Sequence, residues 1–174
     1  MTAATHVVVA LATVELERSL TGSAPTLLSL PLIIIGSLAP DIDNSGAIVR
    51  WGRWLQPWIG EGPAKKIEAP LLATSEVIRS IFGHRGFLHT PIFCALLFAA
   101  ATVLGWEWLV HFAWGYATHI AADCCTVSGV PLLGPFNKAR FSILPIRTGS
   151  VGELAAVVTV LFLLAVTTWR SALM

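Results

Sequence analysis

The sequence predicts an all-α fold: a polytopic membrane helical bundle with four to five membrane segments and additional amphipathic helices at the membrane interface. Composition is the first observation, because 55% of the 174 residues are hydrophobic and only 12% are charged. That charged fraction is about half of the roughly 25% found in soluble domains, and a chain this small cannot bury so much apolar surface. The second observation is a series of apolar stretches whose lengths approach the ~20 residues of a spanning helix.

The same composition excludes several other classes of protein. Intrinsic disorder requires low hydrophobicity and high charge, and this chain has neither. A formal net charge of +1 gives no general attraction to nucleic acid, so we expect no nucleic-acid partner. The three cysteines form neither a disulfide framework nor a CxxC metal pair. At this length we expect one domain over residues 1–174.

The first two predicted helices form a pair near the amino terminus. Residues 5–20 begin as a strong apolar run but carry three charged residues near their end, and we interpret them as a short fifth membrane segment. Residues 24–40 form an apolar stretch that Pro31 interrupts. The turn at residues 21–23 would join the two helices.

Amphipathic patterns predict two interfacial helices in the long loop 41–86. Four apolar side chains recur at i, i+3, i+4 and i+7, which is the spacing of one helix face lying on a membrane surface: Trp51, Trp54, Leu55 and Trp58. Pro57 would end or kink this helix. A second amphipathic helix is predicted over 70–82, with Pro70 in its first turn.

The remaining three membrane segments are the clearest. Residues 87–105, 106–123 and 151–169 are apolar stretches of nearly spanning length. Gly105 marks a hairpin between the first two of them, and Thr90-Pro91 resembles a helix N-cap followed by the first helical residue. The loop 124–150 is rich in Gly and Pro, which predicts irregular structure.

Basic residues predict the orientation of these segments. Six of the 11 Lys and Arg fall within 41–86 and three more within 124–150. Because positive loops stay on the cytoplasmic side, both loops are predicted to lie inside. We therefore expect a multi-pass membrane protein with the amino terminus inside and the carboxy terminus outside.

On this topology seven potential metal ligands converge at one depth, near the inner ends of four elements. They are His6, Asp41, Asp43, His84, His89, His119 and Asp123. His119 and Asp123 are four residues apart and share a helix face, so they can bind one ion together. An unpaired Asp within a membrane helix costs roughly 2.5–3.5 kcal/mol, and such residues usually face a partner or a cavity.

Imidazole and carboxylate ligands without thiolate suit Zn²⁺, Mn²⁺ or Fe, and we expect zinc before the other two. Seven ligands exceed the four that one tetrahedral ion takes, so we expect one or two divalent ions. Such ions lower the pKa of water from 15.7 towards about 7. Asp43 or Asp123 would accept the proton or orient the water, and Arg85 would bind an anionic group. Glu153 is a further candidate ligand or support. The depth favours a substrate with one polar and one lipid end.

Five runs of sequence resemble the YdjM family of predicted membrane-bound metal-dependent hydrolases. They are His6, LAPDID at 38–43, GHRGFLHT at 83–90, GYATHIAADCCTVSGVPLL at 115–133 and RFSILPIRTGSVGE at 140–153. The resemblance covers nearly the whole chain. It implies a multi-pass inner-membrane protein with a metal site at these His and Asp positions, and remote kinship to zinc-dependent phospholipase C.

Two other functions are compatible with the same residues. A structural or regulatory membrane protein would use the metal only to hold four elements together, and such a site differs from a catalytic one by lacking an open coordination position. An ion or metal transporter would need polar residues along the whole path, but residues 154–168 carry no charge. Within the hydrolase class, the sequence favours a phosphoester of a lipid-like or lipid-linked molecule and leaves amide or acyl ester cleavage open.

Overall fold

A computed structural model describes residues 1–22, 26, 29–83, 86–134, 136–137 and 139–173, with side chains up to residue 169. Within these residues the fold is all-α, with seven α-helices and no β-strand. The helices are α1 (Ala3–Thr21), α2 (Ser29–Leu38), α3 (Ser45–Ile59), α4 (Glu61–Phe82), α5 (Pro91–Leu104), α6 (Glu107–Cys124) and α7 (Val151–Leu173). Two short 3₁₀ turns precede α3 and α5, at Ala39–Asp43 and Phe87–His89.

The amino-terminal pair confirms the predicted helices. The Thr2 hydroxyl accepts a hydrogen bond from the Thr5 amide and so caps the start of α1. The helix ends at Gly22, whose left-handed φ of 71° favours glycine. Pro31 lies in the first turn of α2, where its missing N–H costs no helical hydrogen bond, so it does not interrupt that helix.

The loop between the first 3₁₀ turn and α5 contains two consecutive helices. Helix α3 contains the predicted apolar face, but it continues through Pro57 to Ile59, so Pro57 does not end it. Proline removes one backbone hydrogen bond near the end of the helix without preventing the next two residues from staying helical. Helix α4 begins at Glu61, so the predicted start at Pro70 is wrong. The physical reason is that Pro63 already occupies the first helical turn, where proline is tolerated, and a 2.7 Å ion pair between Lys65 and Glu61 supports that turn. Pro70 therefore lies inside a longer helix.

The predicted start of α5 and the predicted hairpin between α5 and α6 are both confirmed. Thr90 caps α5 by accepting a hydrogen bond from the amide of Phe93, and Pro91 is the first helical residue. Gly105 ends α5 with a φ of 65°, a left-handed conformation that lets the chain turn directly into α6. After α6 the chain is irregular, with isolated bridges that pair Thr126 with Ile146 and Val130 with Phe141.

Helix α6 is central to the packing, with α1, α2 and α5 against it. Its closest neighbour is α2, because glycines replace side chains where the two backbones meet. A Cβ on Gly115 would collide with the carbonyl oxygen of Ile33, and a Cβ on Gly36 would collide with that of Phe112. Gly115 therefore lets α2 approach α6 closely.

Among the described helices, Val151–Trp169 is long and apolar enough to cross a membrane, judged by length and composition alone. Pro91–Leu104 is apolar but has only 14 residues. This result does not confirm four to five spanning segments. The helices Ala3–Thr21, Ser29–Leu38 and Glu107–Cys124 overlap the other three predicted segments, 5–20, 24–40 and 106–123. The first has three charged residues near its end, the second has only ten residues, and the third is less apolar because it contains two acidic residues and two histidines.

Candidate metal centre

Four parts of the chain bring six of the seven predicted ligands together. His6 lies in the first turn of α1, and the 3₁₀ turn that follows α2 carries two aspartates. The turn before α5 contributes one histidine, and the last turns of α6 contribute a His–Asp pair. The six residues are His6, Asp41, Asp43, His89, His119 and Asp123.

These side chains form three overlapping groups in which the ligand atoms lie within 4.8 Å of one another. The groups are His6–Asp41–His119, His89–His119–Asp123 and Asp41–Asp43–His89. Because His119, His89 and Asp41 each belong to two groups, the six residues are one continuous cluster. Such a cluster is large enough for two ions.

The separations within the cluster are longer than hydrogen bonds. Nε2 of His6 lies 3.4 Å from Oδ1 of Asp123, and Nε2 of His119 lies 3.7 Å from Oδ2 of the same residue. His89 is 3.6 Å from Asp41 and 3.9 Å from Asp43. Two ligand atoms that each bind one zinc ion at about 2.1 Å in tetrahedral geometry stand about 3.4 Å apart. The spacing therefore suits a shared cation better than direct hydrogen bonds, which need 2.7–3.2 Å.

The burial and the hydrogen bonding of the histidine rings also bear on whether the cluster suits a cation. All six ligands are at most 6% exposed. Within the described part of the chain, both ring nitrogens of His6 and His89, and Nε2 of His119, have no hydrogen-bond partner. Buried polar atoms normally have partners, so these nitrogens have the chemistry of unused metal ligands. The residues present fit one or two divalent ions with N/O preference.

His119 is oriented by the backbone of α2. Its Nδ1 donates a hydrogen bond to the carbonyl oxygen of Ser37 at 2.7 Å, which leaves Nε2 directed at the cluster. Histidines that bind metals commonly use the second ring nitrogen in this way. The imidazole of His6 stacks on His119, with centroids 3.7 Å apart and planes within 8°.

His89 is held by the turn before α5. The Tyr116 hydroxyl donates a hydrogen bond to the carbonyl oxygen of Leu88, the residue before His89. On its other side, the Thr90 hydroxyl donates to the carbonyl of Phe87 at 2.7 Å. These contacts connect α6 to the turn and fix the backbone on both sides of the His89 imidazole.

The carboxylate of Asp41 is set for metal binding by its neighbours. Burial raises the pKa of Asp41, but contact with His89 and the charges of His119 and His6 outweigh that effect and lower it to about 2. The group is therefore ionised at neutral pH, which is the form that binds a cation.

The amino-terminal residues connect the cluster to α7. The amine of Met1 donates to Oδ1 of Asp123 at 2.7 Å. Glu153 accepts 2.6 Å hydrogen bonds from the Thr2 amide, the Thr5 hydroxyl and the Gly149 amide. Glu153 belongs to none of the three ligand groups found among the described residues. Its predicted role as a further ligand is not borne out there, and it acts as a support that fixes the start of α1.

Two predicted site residues, His84 and Arg85, lie outside the described residues. Sequence reasoning missed the supports: the Ser37 carbonyl, the Tyr116 hydroxyl and the Thr5 hydroxyl. A backbone carbonyl carries no signal in its residue type. Tyr116 is the only tyrosine of the chain, and a lone tyrosine in an apolar helix needs a buried partner, so its position was the one available signal.

Comparison with known proteins identifies the family. A family model described as YdjM inner membrane protein matches residues 1–174. The chain is similar to "Uncharacterized protein YvsG" of Bacillus subtilis (strain 168), with 28% identity over 155 residues, covering 88% of this chain and 85% of the relative.

Two further relatives are "Inner membrane protein YdjM" of Escherichia coli (strain K12) and of Shigella flexneri. Each is 33% identical over 129 residues, which cover 70% of this chain and 57% of the relative's own length. No solved structure matches the chain. Since the family model spans every residue, the chain belongs to the YdjM inner membrane protein family, and its location is the bacterial inner membrane.

Proposed function

We propose that this chain is a multi-pass, metal-dependent hydrolase that cleaves a phosphoester or related bond of a lipid-like substrate at the cytoplasmic face of the membrane. The observation that carries the proposal is the buried cluster of three imidazoles and three carboxylates at cation-sharing distances. When bound, one or two divalent ions supply Lewis acidity and an activated water at neutral pH.

The chain's own residues have distinct parts in this proposal. His6, Asp41, His89 and His119 hold the ion or ions. Asp43 and Asp123 belong to the cluster as ligands too, and one of them also orients water and accepts its proton. Arg85, adjacent in sequence to His84, binds the anionic group of the substrate. We take His84 as a seventh ligand on the sequence pattern, and the remote kinship to zinc-dependent phospholipase C stays part of the proposal.

Metal analysis of the purified protein tests the proposal first. We expect the wild type to hold one or two zinc, manganese or iron ions per chain. Asp123→Ala and His119→Ala should weaken metal binding by more than the roughly 10–100-fold that loss of a supporting residue costs. His111→Ala is the matched control, because His111 lies on the same helix but in none of the ligand groups found among the described residues. A wild type without stoichiometric metal would contradict the proposal.

A second test separates hydrolysis from structure. The metal-loaded wild type is incubated with phospholipids, lipid-linked phosphates, acyl esters and amides, and products are measured by mass spectrometry. Release of a phosphorylated headgroup that Asp43→Asn abolishes would support phosphoester cleavage. If only esters or amides are cleaved, the hydrolase assignment stands and the phosphoester part is wrong.

One observation favours a second candidate function, a metal that holds the helices together in a structural or regulatory protein. All six described ligands are at most 6% exposed, as in a closed structural site. An open coordination position distinguishes the two functions. Manganese-substituted protein should enhance water proton relaxation if water exchanges at the ion. No enhancement, together with no turnover, would favour the structural function.

A further inference from the structure

A groove of about 290 Å³ runs between α1 and α7. Its polar end is formed by Thr2, Thr5 and Glu153. Its walls further along the two helices are apolar and include Val8, Leu154 and Val157. The groove thus changes from polar to apolar along its length, as an amphiphilic ligand does.

The polar end shares the first turn of α1 with the metal centre. Thr5 precedes His6, and the Met1 amine contacts Asp123 at 2.7 Å. The carboxylate of Glu153 is held by three donors, so it is not a free anion facing a ligand. The groove is lined by residues next to the cluster in the chain and not by the cluster itself, so a headgroup would lie at the polar end, beside Thr2 and Thr5.

The apolar walls belong to the helix that is long and apolar enough to cross the membrane. Leu154 and Val157 lie within Val151–Trp169, and the exposed side of this helix carries large apolar residues such as Val158 and Phe162. Acyl chains are the solvent around a spanning helix. A groove that opens on such a helix is accessible to a lipid chain without passage through water.

The volume of the groove indicates which kind of ligand fits it. Pockets for small molecules measure roughly 300–1,000 Å³, so this volume lies at the lower end of that range. It suits one narrow chain. A helix from a second protein, about 10 Å wide with its side chains, needs a broader surface.

We propose that the α1–α7 groove binds one acyl chain of a membrane phospholipid whose headgroup lies at the polar end of the groove, beside Thr2 and Thr5. The role of that lipid as substrate rests on the proposed function, whereas the binding itself does not. The test uses the full chain in vesicles of phosphatidylethanolamine and phosphatidylglycerol. The vesicles contain a phospholipid with a photoactivatable diazirine midway along one chain.

We expect photolabelling to concentrate on Val8, Leu154 and Val157. Val157→Trp should reduce the labelling of Val8 by about tenfold, because filling the groove removes roughly two buried methylene contacts. Val158→Trp is the matched control on the neighbouring, exposed position and should leave that labelling unchanged. Both variants should keep the wild-type thermal unfolding temperature in detergent, which shows that they fold.

The remaining outcomes separate the groove assignment from the proposed function. Labelling spread evenly around α7, or covalent dimers in place of labelled lipid, would overturn the groove assignment. If Val157→Trp does not fold, Leu154→Trp replaces it, and the wild-type labelling pattern decides on its own. Labelling of the groove without turnover of any phospholipid leaves the binding site standing and removes phospholipids as the substrate in the proposed function. Turnover of a phospholipid with labelling spread evenly around α7 would support the proposed function and overturn the groove assignment.

Discussion

Asp123 is the residue at which most contacts of the centre meet. One oxygen faces the Met1 amine at 2.7 Å and His6 at 3.4 Å, and the other faces His119 at 3.7 Å. A buried carboxylate is stable only when charges or donors surround it, and here imidazoles and an amine do so. The spacing of His119 and Asp123 predicts their shared face, and the structure confirms it.

At the same scale, Thr5 is expected to stabilise the fold without binding metal. Thr5→Val removes the hydroxyl that donates to Glu153 at 2.6 Å. Hydrogen bonds to charged groups contribute about 1.5–3 kcal/mol, so the free energy of unfolding should fall by that amount. Denaturant titration in detergent measures it.

The control for Thr5 is Thr159→Val on α7. The Thr159 hydroxyl donates only to the Ala155 carbonyl of its own helix on an exposed face, so the change should stay within about 0.5 kcal/mol. Equal losses in the two variants would show that the Thr5–Glu153 contact contributes nothing specific.

At the scale of elements, the close contact between α2 and α6 sets the position of His119 in the cluster. Gly36 and Gly115 let the two backbones touch, and this contact places His119 within 2.7 Å of the Ser37 carbonyl. The HxxxD spacing predicts a ligand pair, but the orientation of the imidazole depends on a carbonyl from another helix. Sequence patterns carry no information about that partner, because every residue has a carbonyl.

Gly115→Ala should damage both packing and metal binding. The added methyl group meets the backbone of α2, which cannot move aside locally, so we expect a loss of about 1–3 kcal/mol in the free energy of unfolding. Metal affinity should fall as well, because His119 shifts away from Ser37. Thermal unfolding and metal analysis of the same preparations measure both effects.

Gly62→Ala is the control for this substitution. A Cβ at Gly62, in the first turn of α4, meets nothing within 4 Å, so stability should be unchanged or slightly raised. A Gly115→Ala protein with wild-type stability and metal content would mean that close contact between the two helices is not required.

At the scale of the whole molecule, the arrangement joins a buried polar centre to an apolar helix. Helix α7 packs on α1, and α1 carries His6 into the cluster. The groove between these helices is lined in part by the helix that is long and apolar enough to span a membrane. The proposed lipid-like substrate is consistent with this arrangement, because a buried polar cluster and an apolar groove share helix α1.

A topology measurement tests the predicted orientation. An alkaline phosphatase reporter fused after Met174 should be active, because the carboxy terminus is predicted to lie outside. The same reporter placed at Gly60, between α3 and α4, should be inactive, since that loop is predicted to lie inside. An inactive carboxy-terminal fusion would mean an even number of spanning segments between an inside amino terminus and Met174.

The sequence by itself determined the all-α class, most helix bounds and which His and Asp residues are candidate ligands. These features depend on composition, on local caps such as Thr90-Pro91, and on residue types whose burial requires a partner. It placed the start of α4 nine residues late, because Pro70 is a helix-start signal and Pro63 is an equally good one.

Only the tertiary structure decided which ligands touch, what orients them and where the groove lies. Asp41 and His89 are 48 positions apart in the chain, yet their ligand atoms are 3.6 Å apart. That distance depends on how α2, α5 and α6 pack, and the packing depends on shape complementarity at residues such as Gly36 and Gly115. Local patterns report which side chains need partners, and long-range packing selects the partners.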